Sequence, residues 1–135
     1  MLGIDTNVLV RYIMQDDPTQ SRLATHFIEK ESAEDNPIFI TALILCELVW
    51  VLESAYEYSK KDIIKVIESI LKTRQFHIHE SDILWQTLRS YQKDGADFAD
   101  NYIGILNLHN KCVFTATFDK KASRLSHFKL LGASV

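Results

Sequence analysis

Leu2-Gly3-Ile4-Asp5-Thr6-Asn7-Val8-Leu9-Val10 is the stretch that decides the fold class. Leu2 to Ile4 reads as a short strand, and Asn7 to Met14 reads as a helix. Asp5 sits at the switch between them. In a parallel sheet, ligand sites form outside the carboxyl ends of strands. Asp5 therefore stands where an acid can do chemistry.

The same alternation continues outward. Asp17-Pro18 predicts a helix start, with Asp17 as cap and Pro18 in the first turn. Leu23, Phe27 and Ile28 are its expected inner face, ending before Asn36-Pro37. Ile38 to Ile40 reads as a second strand. Thr41 to Glu53 reads as a helix apolar nearly all round, which predicts burial on most sides. Ser59 caps a helix whose apolar face is Ile63, Ile64, Val66, Ile67, Ile70 and Leu71. Phe76 to His79 is a candidate strand, Ser81 caps a helix through Tyr91, and Asp97 to Leu108 forms another. Cys112 to Ala116 is the clearest strand, and Phe128 to Leu131 is a last edge strand. Strands separated by helices predict an α/β fold, a central parallel sheet in a three-layer α/β/α arrangement.

At 135 residues with 47% hydrophobic content, the chain is read as one domain, 1–135, with a core of its own. The two cysteines, Cys46 and Cys112, lie in apolar runs and are expected to be buried free thiols in a reducing compartment. The N-terminus lacks the basic start and long apolar stretch of a signal peptide. The longest apolar run, Ile38 to Leu52, is broken by Thr41 and Glu47 and falls short of the about 20 residues that span a bilayer. A cytoplasmic protein with no membrane partner is expected. Net charge is −3. If four of the 18 acids serve a site, 14 remain against 15 Lys and Arg, leaving +1 elsewhere. That balance is compatible with a nucleic-acid substrate bound modestly.

Four acids stand where a solvated carboxylate is out of place. Asp5 follows a strand, and Glu47 is the only charge between Pro37 and Glu53. Asp100 lies near a helix start, and Asp119 follows the strand ending at Ala116. Two carboxylates about 4 Å apart repel by about 4 kcal/mol at an effective dielectric near 20. A cluster of them needs protons or a cation, and all-carboxylate ligation suits Mg²⁺ or Mn²⁺ rather than zinc. Each acid also has a bland reading: Asp5 as a helix cap, Glu47 paired with a buried Arg, Asp100 as a first-turn acid, Asp119 as a turn residue.

These residues carry a family resemblance. Ile4-Asp5-Thr6-Asn7-Val8-Leu9, Leu45-Cys46-Glu47-Leu48, Asp97-Phe98-Ala99-Asp100 before Tyr102-Ile103, and Thr117-Phe118-Asp119-Lys120 occur in an order that resembles the PIN-domain ribonucleases, in particular the VapC-type toxins of toxin–antitoxin pairs. The resemblance covers essentially the whole chain. It implies a PIN-like fold and an acidic pocket in which Asp5, Glu47, Asp100 and Asp119 bind Mg²⁺ or Mn²⁺. It implies Asp97 as an accessory acid, and Thr6, Asn7 and Thr117 as polar groups that position the acids or a water. It further implies an RNA substrate, products with 5′-phosphate and 3′-hydroxyl ends, a homodimer and a cognate antitoxin. A divalent ion in such a site activates water for in-line attack on a phosphodiester.

Lys120, Lys121 and Arg124 after Asp119, and Arg11 after Asn7, are candidates to hold the RNA backbone, or are solvated helix faces. Trp50, Val51, Tyr56 and Tyr58 are either core or part of a dimer or antitoxin interface. His77 and His79 alternate on a strand and face one side, without the third ligand a metal site needs. A haloacid-dehalogenase-like phosphohydrolase with Asp5 as nucleophile would want a second Asp at position 7, which is Asn7. A non-catalytic RNA-binding module is the other alternative.

Overall fold

Ile38 and Ile40 point to one side of a three-residue strand and are fully buried. That strand is the middle of a three-stranded parallel sheet in a computed structural model of the chain, which describes residues 1–132. In chain order the strands are β1 (Leu2–Gly3), β2 (Ile38–Ile40) and β3 (Phe76–Ile78). Leu2 lies opposite Ile38, and Ile38, Phe39 and Ile40 lie opposite Phe76, His77 and Ile78. The described residues fall into two compact units, the first Met1–Glu80 and the second beginning at Ser81.

In the first unit the helices begin where capping chemistry predicts. Asp5 caps α1 (Thr6–Met14), and Asp17 caps α2 (Pro18–His26) with Pro18 in its first turn. A π-helical turn, Phe27–Glu31, continues α2. Thr41 caps α3 (Ala42–Ser54), and Ser59 caps α4 (Lys60–Lys72). Leu9, Ile28, Leu45, Leu48, Leu52, Ile63 and Ile67 form the core with the two isoleucines of β2.

The second unit packs α5 (Ser81–Lys93) on α6 (Phe98–His109), with Tyr91 and Phe98 edge to face at 5.5 Å between ring centres. A two-stranded parallel sheet follows, β4 (Thr115–Thr117) with β5 (Phe128–Leu130). Gly104 in α6 lies against Phe128, where an added Cβ would overlap the ring.

The α/β class and the parallel pairing hold, while several details differ from the sequence reading. Leu23 is exposed because Ser21, Ala24 and Ile28 take the inner positions. Helix α3 is not buried all round: Leu43 and Trp50 are 68% and 69% exposed. That removes the core reading of Trp50. Tyr56 and Tyr58 meet edge to face, and the Tyr56 hydroxyl donates to Asp16 at 2.7 Å. The strand expected from Cys112 begins only at Thr115. Residues up to Cys112 close α6 in a Schellman-type cap, with Lys111 left-handed (φ 66°) and the Cys112 N–H on the Asn107 carbonyl at 2.9 Å. Cys112 is consequently exposed, and Cys46 is half-buried, so neither is the fully buried thiol expected. Among the described residues, no helix is long and apolar enough to cross a membrane.

The two faces of α3 give a direct test. Leu48→Ala, at a fully buried site, should cost about 2–5 kcal/mol. Leu43→Ala, one face round, should stay within about 0.5 kcal/mol. Urea denaturation of both variants measures the difference, and equal losses would contradict the observed orientation of the helix.

Candidate functional site

In the first unit the site is assembled at the carboxyl ends of β1 and β2. Asp5 leaves β1 and caps α1, its Oδ1 accepting the Val8 N–H at 3.1 Å. The bland reading of Asp5 as a cap is therefore observed. It does not exhaust the group, since a carboxylate has two oxygens and about four acceptor positions. Thr6, the first residue of α1, donates its hydroxyl to Glu47 Oε1 at 2.7 Å. Glu47 is exposed on α3 and takes its hydrogen bond from this hydroxyl, not from the buried Arg considered above.

Asp5, Thr6, Asn7 and Glu47 line one cleft of about 590 Å³, together with Cys46, Trp50 and Val51 of α3. Burial pushes the Cys46 thiol up to about 11, with the Glu47 charge adding to the effect. It stays protonated at neutral pH and offers no thiolate to a soft metal. Asp5 and Asn7 also border a second cleft of about 680 Å³ between α1 and α2, which Arg11 lines. There Arg11 donates to Gln20 at 2.7 Å and pairs with Asp16 at 3.4 Å.

The second unit brings three more candidate acids together. Asp97 is the N-cap residue of α6, yet its side chain makes no capping bond. Its carboxylate instead faces the Lys121 ammonium at 3.9 Å. Asp100 lies in the first turn of α6, half-buried. Burial raises its carboxyl above the usual range, the charges of Asp97 and then Asp119 push the same way, and Lys121 partly offsets them. Asp119 is set by its own turn. Its N–H donates to the Thr117 hydroxyl at 3.0 Å, and its Oδ1 accepts the N–H groups of Lys121 at 2.8 Å and Ala122 at 3.3 Å. Lys120 and Arg124 are exposed on the same segment. Of the basic candidates there, Lys121 is drawn to the acids.

The donor chemistry of both groups is hard oxygen: carboxylates with hydroxyl neighbours, which suits Mg²⁺ or Mn²⁺. Among the described residues, no three His, Cys, Asp or Glu side chains gather closely enough to hold an ion together. His77 in β3 and His79, one residue past its end, are both exposed and flank Phe39 at 6.0 and 5.6 Å between ring centres. The residue whose place in the site the sequence reading missed is Trp50, which lines the cleft of Glu47. The signal was its spacing: three positions past Glu47 puts both on one helix face.

Comparison with known proteins bears on this arrangement. The PIN domain family model matches residues 3–127. A protein of Aquifex aeolicus (strain VF5) named a VapC ribonuclease is 26% identical over 97 residues, covering 72% of this chain and 71% of its own length. The match places the α/β architecture in the three-layer α/β/α PIN-like class, and the chain belongs to the PIN domain family.

Proposed function

We propose that the chain is a divalent-metal-dependent endoribonuclease, a hydrolase of RNA phosphodiester bonds, acting in the cytoplasm as the toxin of a type II toxin–antitoxin pair. The family match and the relative named a VapC ribonuclease support the reaction and substrate class. The observation that carries the reading is the gathering of acids within each unit: Asp5 and Glu47 line one cleft, and Asp100 lies half-buried near Asp97 and Asp119. A bound cation would offset the charge gathered there.

In this reading Asp5, Glu47, Asp100 and Asp119 hold Mg²⁺ or Mn²⁺, with Asp97 as accessory acid. When bound, the ion supplies activation of water for in-line attack and positive charge for the phosphate. The chain's own groups prepare the ligands. The Thr6 hydroxyl holds Glu47 Oε1, the Val8 N–H holds Asp5, and the Thr117 hydroxyl with two backbone N–H groups holds the turn of Asp119. Asn7 stands in the cleft of Asp5 and Glu47, where it can orient a water. Arg11, Lys120, Lys121 and Arg124 are the groups to contact the RNA backbone. A homodimer and a cognate antitoxin belong to the same proposal.

Cleavage of single-stranded RNA should require Mg²⁺ or Mn²⁺ and stop with chelator. Asp5→Asn and Asp100→Asn should each lower it by orders of magnitude while the fold survives. A purified Asp5→Asn protein that cuts as fast as wild type, with contaminating nuclease excluded, would remove Asp5 from the site. In bacteria, induction of the wild-type chain alone should halt growth, and a co-expressed partner should reverse the arrest. Normal growth despite abundant folded protein would remove the toxin reading and leave the nuclease one.

Thermal melts test the acidic cluster. Because the folded chain holds the Asp100 carboxyl above its unfolded value, it binds that proton more tightly than the unfolded chain does. Stability from this site is therefore greatest at low pH. It falls as pH rises from the ordinary Asp value, about 3.9, through the raised one. Without added metal, Asp100→Asn should melt above wild type at pH 7, and the gap should close as pH falls toward the ordinary value. Mn²⁺ should raise wild type, by about 2.7 kcal/mol at 100 times Kd, and narrow or reverse the order. A variant less stable by about 0.3–1 kcal/mol under all these conditions would make Asp100 only a favourable first-turn acid.

A further inference from the structure

Helix α3 turns two large apolar side chains to water on the face that carries Glu47. Leu43 and Trp50 stand four positions before and three after Glu47, and both are mostly exposed. Leu45, Leu48, Val49 and Leu52 hold the opposite face in the core. Trp50 also lines the cleft of Asp5, Thr6, Asn7 and Glu47. Helix neighbours at this spacing lie about 5–6 Å apart at Cβ, so the indole is next to the carboxylate. Leaving an indole in water forgoes a large hydrophobic gain, and a binding role gives a reason to keep it there.

We infer that Trp50 is the stacking platform for a base of single-stranded RNA, in the nucleotide flanking the phosphate that is cut; this rests on the ribonuclease reading above. The walls of the cleft favour a base over other occupants. Its lining contains two carboxylates, Thr6, Asn7, Cys46, Trp50 and Val51, with no Lys or Arg among the described residues. The cleft offers the sugar–phosphate chain no cationic side chain, whereas every base has a π-face that an indole accepts without regard to sequence. A protein covering the same face would enclose Glu47 between Leu43 and Trp50. That strips water from a carboxylate that takes its hydrogen bond from the neutral Thr6 hydroxyl. Interface cores are depleted in charged residues for this reason. A base covers Trp50 and leaves Glu47 open to the phosphate.

The test uses the full chain with Mn²⁺ and a short single-stranded RNA. Trp50→Ala should raise KM by about 5- to 150-fold, the usual effect of losing one stacked base, with kcat changing far less. Trp50→Phe should recover most of the loss. Circular dichroism and thermal melts establish that both variants are folded. An RNA with an abasic nucleotide beside the cut should bind wild type as poorly as intact RNA binds Trp50→Ala, and cost that variant little more. Unchanged KM in folded Trp50→Ala, or two losses that simply multiply, would overturn the inference. So would sedimentation showing that Trp50→Ala turns a dimer into a monomer, which would assign the indole to a contact between copies. If wild type cuts no RNA, the ribonuclease reading fails on its own. Stacking is then read from Trp50 emission in a Trp85→Phe background: quenching by the same RNA supports it, and unchanged emission overturns it.

Discussion

Parallel pairing of β1, β2 and β3 is the constraint from which the placement of the first unit's candidate acids follows. Parallel strands cannot be joined by a tight turn and need a crossover connection. All three strands therefore run out at one edge of the sheet, and the chain leaving β1 and β2 enters α1 and α3 there. Asp5 and Thr41 begin those helices by accepting backbone N–H groups. Thr6 at the start of α1 then lies 2.7 Å from Glu47, in the second turn of α3, although 41 residues separate them. Burial of Ile38 and Ile40 guards this geometry, since a slip of one residue would turn both into water.

Two of the candidate acids commit one oxygen to the backbone of their own turn. Asp5 and Asp119 each anchor one oxygen on backbone N–H groups, which fixes the carboxylate without a cationic partner. Asp97 does the reverse: placed where a cap would satisfy α6, it forgoes the cap and turns to Lys121. Asp100, half-buried in the next positions of that helix, feels both remaining acids. Local stability is conceded at the points where charge is gathered, the pattern expected of a functional region rather than of ordinary surface.

Much of this was legible in the residues themselves. Asp17-Pro18 and Ser59 announce helix starts through side-chain oxygens, and the structure places the caps there, while Thr41, read as helical, proves to be the cap of α3. Ile38 to Ile40 is a strand to the residue because isoleucines on one face leave little alternative. The acids stood out because each interrupts an apolar setting. Other features depend on tertiary contact. Which side of an almost wholly apolar helix faces water is invisible in α3, where Leu43 and Leu45 are alike in sequence and opposite in burial. The late start of β4 was hidden by a cap that uses Lys111 in a left-handed conformation, a place sequence rules reserve for glycine. Leu23 looked like core because its spacing suited Phe27 and Ile28, but the smaller Ser21 and Ala24 took the close approach.

Gly104 has a role out of proportion to its size. Glycine weakens a helix interior, yet here its bare backbone makes the notch that receives the Phe128 ring. Ring and notch work as a mechanical index between α6 and β5: turning or sliding the helix would drive a side chain into the aromatic. Asp100 stands one helical turn before the notch, and β4, which pairs with β5, leads into the turn of Asp119. The spacing of two charged groups is thereby gauged by an uncharged contact that touches neither, and the gauge admits no side chain at position 104.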